Sequence, residues 1–306
     1  MGWAETKPDG NGHKDALHFS HPPNRVVSLV PSMTESMFDL GVGESLVGIT
    51  DYCIHPAAWV EKLPHLGGTK NPRVKEILAL KPDLVLANWE ENSRSTVEAL
   101  REAGVGVWVT FPQSVSDSIE VLWTLANLFK SSIAKIKLQT LELTLDWALS
   151  AAAARPNFRY FCPIWYSQRG DGLPWWMTFN RDTYSHDLLQ ILGGQNVFAD
   201  RERLYPLDAD LGLVPADEAS GQDKRYPRVS LDEVRSAEPE LILLPDEPYP
   251  FDETHLQTIQ SLLAETPSVR NGSVSLVEGS LITWQGTRLA LSLRELPALL
   301  DSCLGA

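Results

Sequence analysis

The residues of this chain that could do chemistry collect in the segments that follow short apolar runs. Ten tryptophans occur in 306 residues, and Trp89, Trp165, Trp175, Trp176 and Trp284 fall in such segments. Around them lie Tyr52, Glu90, Asp246, Glu247 and Arg288. Aromatic walls with a few polar groups suit a large, flat, partly apolar ligand. Trp175-Trp176, between Pro174 and Thr178, is the foremost contact candidate, whereas Trp108, Trp123 and Trp147 sit on a strand and helices and read as core. Cys53 and His55 offer a soft or borderline metal a Cys-x-His pair, a short pattern whose default reading is a buried thiol and a hydrogen-bonded loop imidazole. Glu90, Glu91, Asp246 and Glu247 could meet a hard cation or a ligand's amides. Three cysteines, widely spaced, make no disulfide framework.

Enzyme signatures are missing from the sequence. It holds no G-x-x-x-x-G-K-S/T, no strand-linked G-x-G-x-x-G, no G-x-S-x-G and no H-E-x-x-H. Lys plus Arg is 26 and Asp plus Glu is 40, so the formal charge is −14. An acidic chain without a basic run argues against nucleic acid or an anionic membrane as main partner.

The elements that must position these residues alternate in type. RVVSLV (25–30), SLVGIT (45–50), DLVLAN (83–88) and VGVWVTF (105–111) read as buried strands with helices between them. Ser32 with Glu35 reads as a capping box opening the first helix. RYFCPIWY (159–166), ELILLP (240–245) and SVSLVEG repeat the pattern later, with 167–182 as a loop and 199–228 irregular. The segment VKEILALKPDLVLANWEEN is echoed by SLDEVRSAEPELILLPDEPY. Between the halves, residues 129–155 lack glycine and proline, and 129–156 reads as one long connecting helix capped at Ser131 or Ser132. Its apolar positions are too dense for one stripe, so more than one covered face is expected. Lys135, Lys137, Glu142 and Asp146 exclude a membrane span. The expected fold class is α/β: two Rossmann-like lobes with mainly parallel sheets, joined by that helix. The division is a disordered tail (1–23), an N-terminal lobe (24–128), the helix (129–156) and a C-terminal lobe (157–306). The tail shows no apolar signal-peptide stretch, so the expectation is either a cytoplasmic protein or one whose leader is not in the chain as given.

RVVSLVPSMTESMFDLGVGESLVGITDYC, GGTKNPRVKEILALKPDLVLAN, HDLLQILGGQNVF and VSLDEVRSAEPELILL resemble, in order, the helical-backbone substrate-binding proteins of bacterial ABC importers. The resemblance covers about residues 24–304. It implies a periplasmic or cell-surface protein that captures a metal chelate in a cleft between two lobes. The ligand would be cobalamin first, with a ferric siderophore or haem as the alternative, and no covalently bound cofactor. In the cobalamin subgroup the corrin contacts fall on Tyr52, near Trp89, on Trp165, Trp175 or Trp176, and late in the chain near Asp246, Glu247, Trp284 and Arg288. A siderophore would use Arg169 and Arg288. Family members dock on a permease through one acidic residue per lobe. Glu35 matches the first. The second lobe departs from the pattern with Gln190 and Gln195, leaving Asp187 nearby. A rival of another class is an enzyme acting on such a chelate, with Glu90, Asp246 or His55 as acid or base.

Overall fold

The computed structural model describes residues 21–217 and 221–305. The expected tail falls mostly outside the described residues. The chain forms two compact units. A first lobe holds residues 21–143 together with Gln285–Leu289, and a second holds Thr144–Trp284 and residues 290–305. This division differs from the linear one expected above. The unit boundary falls within the long helix, and a five-residue stretch from late in the chain belongs to the first lobe.

In the first lobe come β1 (Val26–Ser28), α1 (Pro31–Asp39), β2 (Leu46–Ile49), α2 (Ala57–Val60) and α3 (Val74–Ala79). Then follow β3 (Leu84–Asn88), α4 (Arg94–Glu102), β4 (Gly106–Thr110) and α5 (Val115–Leu128). The strands pair in parallel in the order β2-β1-β3-β4. They are short, and the two central ones, β1 and β3, are buried from end to end, with Val26, Val27, Leu84, Val85 and Leu86 all fully buried, as a parallel sheet covered on both faces requires. Local chemistry sets the helix starts. Ser93 accepts from the Thr96 amide, and Ser114 and Asp117 form a reciprocal capping box. At α1 the expectation fails: Pro31 takes the first helical position, Val30 is the N-cap, and no side chain caps the helix. Glu35 thus forms no capping box, and its carboxylate pairs with Arg288.

The long helix is α6 (Ser132–Ala152), and Ser131 accepts a hydrogen bond from the Ala134 amide at 3.1 Å. Ala134, Leu138 and Leu141 are buried. Trp123 donates from Nε1 to Glu142 at 2.9 Å. The expectation that the other apolar positions are also covered is wrong, because Ile133, Ile136, Leu143 and Trp147 are exposed. Trp147 is thus not core.

The second lobe contains β5 (Phe158–Phe161), β6 (Trp165–Gln168), β7 (Pro174–Met177), α7 (Tyr184–Ile191), β8 (Gly194–Asn196) and α8 (Leu207–Asp210). Next are β9 (Arg228–Ser230), α9 (Leu231–Ala237), β10 (Leu241–Pro245), α10 (Glu253–Leu262) and α11 (Pro267–Arg270). The chain closes with β11 (Val274–Val277), α12 (Ser280–Thr283) and α13 (Leu289–Leu304). Its main sheet is parallel, ordered β11-β10-β5-β8. A second, antiparallel sheet β6-β7-β9 has no counterpart among the described residues of the first lobe. The segment 167–182, expected as a loop, supplies β7 and closes a hairpin through Gly172 at φ +83°. Asp210 is fully buried and anchors β9 and the irregular stretch before it. It pairs with Arg228 at 2.7 Å and Arg201 at 3.1 Å and accepts from the Leu204 and Arg228 amides.

Candidate functional site

In the first lobe the candidate residues follow β2 and β3. Tyr52 is 62% exposed. Its neighbour Cys53 is fully buried, with its sulfur 3.1 Å from the Thr34 hydroxyl and 3.2 Å from that of Thr50. Burial pushes this thiol pKa up, which disfavours the thiolate a metal would need. No group of three His, Cys, Asp or Glu side chains among the described residues could hold a metal ion. The Cys53–His55 metal candidate is therefore withdrawn.

Trp89 and Glu90 ride on a loop fixed by two amide side chains. Asn88, the last residue of β3, accepts on its side-chain oxygen from the Glu90 amide at 2.8 Å and the Glu91 amide at 3.3 Å. Asn92 accepts from the Asn88 amide at 2.8 Å and donates to the carbonyls of Leu29 and Thr69. Lys70 donates to the Glu90 carbonyl. Trp89, whose amide donates to the Thr110 carbonyl at 2.9 Å, is held half-buried, its ring 5.9 Å from that of Phe111. Phe111 itself is fully buried.

The stretch Gln285–Leu289 presents no side chain to a ligand at Arg288. That side chain is 6% exposed and holds Glu35, donating from Nε to Oε2 at 3.0 Å with Nη2 2.9 Å from Oε1. A hydrogen bond between two ionised groups is stronger than one between neutral groups. Around it, Gly286 donates to Ser118 at 2.8 Å, and Thr287 donates through its amide to Ser36 at 3.1 Å and through its hydroxyl to Asp39 at 2.7 Å. Gly286 holds φ +88°, and a Cβ there would run into the Ser36 hydroxyl, so the stretch needs glycine. Two expectations change together. Arg288 is a structural anchor and not a ligand contact, and Glu35, with a side chain 14% exposed, is its partner and not an open docking carboxylate.

In the second lobe the hairpin separates the two adjacent tryptophans. Neighbouring residues of a strand point to opposite faces. Trp176 is fully buried, edge-on to Phe161 at 6.2 Å and 5.9 Å from Tyr166, so it is core and not a ligand contact. Trp175, half-buried, is on the other face. Trp165, 44% exposed, stands edge-on to Tyr249 at 5.4 Å. The loop after β10 places Asp246 to accept from the Gly279 amide at 2.7 Å and Glu247 to accept from the Thr283 hydroxyl at 3.4 Å. Trp284 follows α12 half-buried. Arg169, the other cation considered for anionic ligands, pairs with Asp171 at 3.3 Å.

A chain of three side chains escaped the sequence reading. Asp252 caps α10 and lies 2.7 Å from His255 Nδ1, and His255 Nε2 lies 2.9 Å from the Tyr249 hydroxyl. Hydrogen bonds from the His255 amide first of all, then from its ring and from Thr254, hold the Asp252 pKa below the usual carboxylate range. An ionised Asp252 accepts only, so His255 donates to it from Nδ1, and in its neutral form the ring accepts a hydrogen bond from the Tyr249 hydroxyl at Nε2. D-E-T-H at helix start, three residues after Tyr249, is the signal that could have found it.

Asp187 lines a polar depression of about 530 Å³ with Asn157, Arg181, Asp182, His186 and Gln195. His186 is buried, and that burial holds its pKa below the ordinary value.

Residues 26–134 match the model of the periplasmic binding protein family. Vitamin B12-binding proteins of Yersinia pestis (strain Pestoides F) and Yersinia pseudotuberculosis (serotype I, strain IP32953) are each 27% identical over 186 residues. That match takes in 60% of this chain and spans about 62% of the length of those relatives. Among solved structures, the periplasmic vitamin B12 binding protein BtuF of Vibrio cholerae superposes with a TM-score of 0.72 at 19% identity, covering 94% of this chain and 100% of that one. The periplasmic heme-binding protein RhuT from Roseiflexus sp. RS-1 gives a TM-score of 0.71 at 21% identity, covering 92% and 99%. Each of these is named as a binding protein, none as an enzyme. Residues 26–134 thus match the periplasmic binding protein family, and the fold of the chain is the one seen in these binding-protein structures.

Proposed function

We propose that the protein captures a corrinoid, or failing that another metal chelate, as the binding component of an ABC importer. The observation that carries the choice is the state of the arginines. Both guanidinium groups that an anionic chelate would use, Arg169 and Arg288, already face carboxylates. What remains in the loops is aromatic surface and hydrogen-bonding carboxylates, which suit a large, amide-rimmed, weakly charged ring system. The named relatives that bind vitamin B12 support the same reading. In this reading Tyr52, Trp89, Trp165, Trp175 and Trp284 contact the ring, and Glu90, Asp246 and Glu247 accept from its polar rim. No step breaks or makes a covalent bond. Haem is the second reading, favoured by the fold's likeness to heme-binding structures. A permease is the proposed partner, with Asp187 the acidic residue left for docking on the second lobe.

The test is a titration of tryptophan fluorescence with cyanocobalamin, a ferric hydroxamate and haemin in turn. Saturable one-to-one quenching by the corrinoid, weakened at least tenfold in Trp175→Ala, supports the proposal. Quenching by haemin alone moves the ligand to the second reading. Silence towards all three rejects it.

A further inference from the structure

The outward face of α6 is apolar. Ile133, Ile136, Leu143 and Trp147 are 62%, 64%, 60% and 78% exposed. With Thr140 they are spaced three, four, three and four residues apart, the seam of a helix pair. The inward face is a separate row, Ala134, Leu138 and Leu141, already buried. One helix thus carries two apolar faces, and a contiguous exposed row of this kind marks an interaction surface.

Charge says what can cover it. The chain carries −14, so a second copy is repelled over most of its surface. Within Ser132–Ala152 the charges are Lys135 and Lys137 against Glu142 and Asp146, two of each sign and none net. Both cations lie in the N-terminal half and both anions in the C-terminal half. Glu142 accepts from Trp123 and Lys137 donates to the Asp39 carbonyl within the chain, which leaves Lys135 and Asp146 to face a partner. An antiparallel copy brings these opposite signs together, and a parallel one brings like to like.

We propose that α6 is a homodimer face, packing antiparallel on α6 of a second copy about a two-fold axis at Thr140. Ile133 and Trp147 each lie seven residues from Thr140, so the axis sets Ile133 of one copy against Trp147 of the other. Ile136, four residues before Thr140, meets Leu143, three residues after it. The contact is isologous and closes on itself. A single helix of 21 residues is about 32 Å long, so the interface is at the small end for stable pairs and the dimer is weak and concentration-dependent.

The test is sedimentation of the full chain over a wide concentration range. The mass should rise from 34.0 kDa towards twice that value. Trp147→Glu and Leu143→Glu should hold it at the monomer mass with unchanged thermal melting, since both side chains face solvent in the single chain. Cysteine variants in a Cys303→Ser background fix the geometry, because Cys53 and Cys162 are buried. Thr140→Cys should cross-link to its own copy under mild oxidation. Ser150→Cys should not, because the two-fold sets the two thiols about 30 Å apart along the axis. A mass that stays at 34.0 kDa throughout, a dimer indifferent to Trp147→Glu, or self-cross-linking at Ser150→Cys would each overturn the proposal.

Discussion

Taken in order of appearance, the four parallel strands of each lobe are arranged alike. The first lobe runs β2-β1-β3-β4, and the second, read from its β8 edge, runs β8-β5-β10-β11. Both orders put the second strand outside the first and then continue with the third and fourth. The surfaces built on that common frame differ. The first lobe presents Tyr52 and Trp89 from short loops, the latter clamped by Asn88 and Asn92. The second inserts the antiparallel sheet β6-β7-β9, which brings out Trp165 and Trp175 while sinking Trp176 into the core. A parallel frame thus fixes where loops leave the sheet, and insertions decide what those loops offer.

The comparison can be broken most severely at the hairpin. Trp176→Ala should cost about 3–5 kcal/mol of stability through the cavity it leaves, whereas Trp175→Ala should cost under about 1 kcal/mol and act on ligand binding. Urea melts of the two variants, set beside their corrinoid affinities, check this. Equal destabilisation would mean that the two faces of β7 are not distinct.

Next comes the anchor of the first lobe. Arg288→Met leaves the Glu35 carboxylate without its guanidinium partner, in a site only 14% exposed. The expected loss is about 3 kcal/mol, and Glu35→Leu with Arg288→Met should recover most of it, since a well-packed apolar pair can replace a buried ion pair. A double-mutant cycle measures the coupling; a cycle that is merely additive would show the pair to be idle.

A smaller effect is expected from acid on the second lobe. The His186 pKa is depressed in the folded chain by burial, so the unfolded chain binds more protons. The stability this gives is complete above the ordinary value of 6.5 and is lost as pH falls through the depressed folded value. Thermal melts of wild type and His186→Asn at stepped pH should converge below that window. Parallel curves would remove His186 from the account.

The smallest signal sharpens the comparison without altering either lobe. Each has one buried thiol, Cys53 in the first and Cys162 in the second, both with pKa raised by burial. In native buffer a maleimide should label Cys303 alone, with the other two reacting only on unfolding. Quantifying labelled peptides against denaturant then shows which lobe opens first, and native labelling of Cys53 would contradict its burial.

Much of the frame was legible because its causes are local. Apolar runs of four to six residues separated by capped helices dictate buried parallel strands, and Ser93, Ser114 and Ser131 each act within three residues of themselves. The echo between the halves and the resemblance to substrate-binding proteins rest on the same order of elements. The long helix was likewise a matter of missing glycine and proline. Tertiary structure alone decided the rest. Glu35 and Arg288 are 253 residues apart, so no local pattern could show that each neutralises the other. Trp175 and Trp176 are adjacent and chemically identical; only the pairing of β7 with β6 and β9 chooses which one is buried. Trp147 reads as core by type and is solvent-facing by fold, because a helix with two apolar faces does not say which of them the chain covers. Local sequence sets the elements through short-range hydrogen bonds and periodicity. Which side chains are left for a ligand or a second copy depends on long-range packing, where a single strand register or ion pair reverses a residue's role.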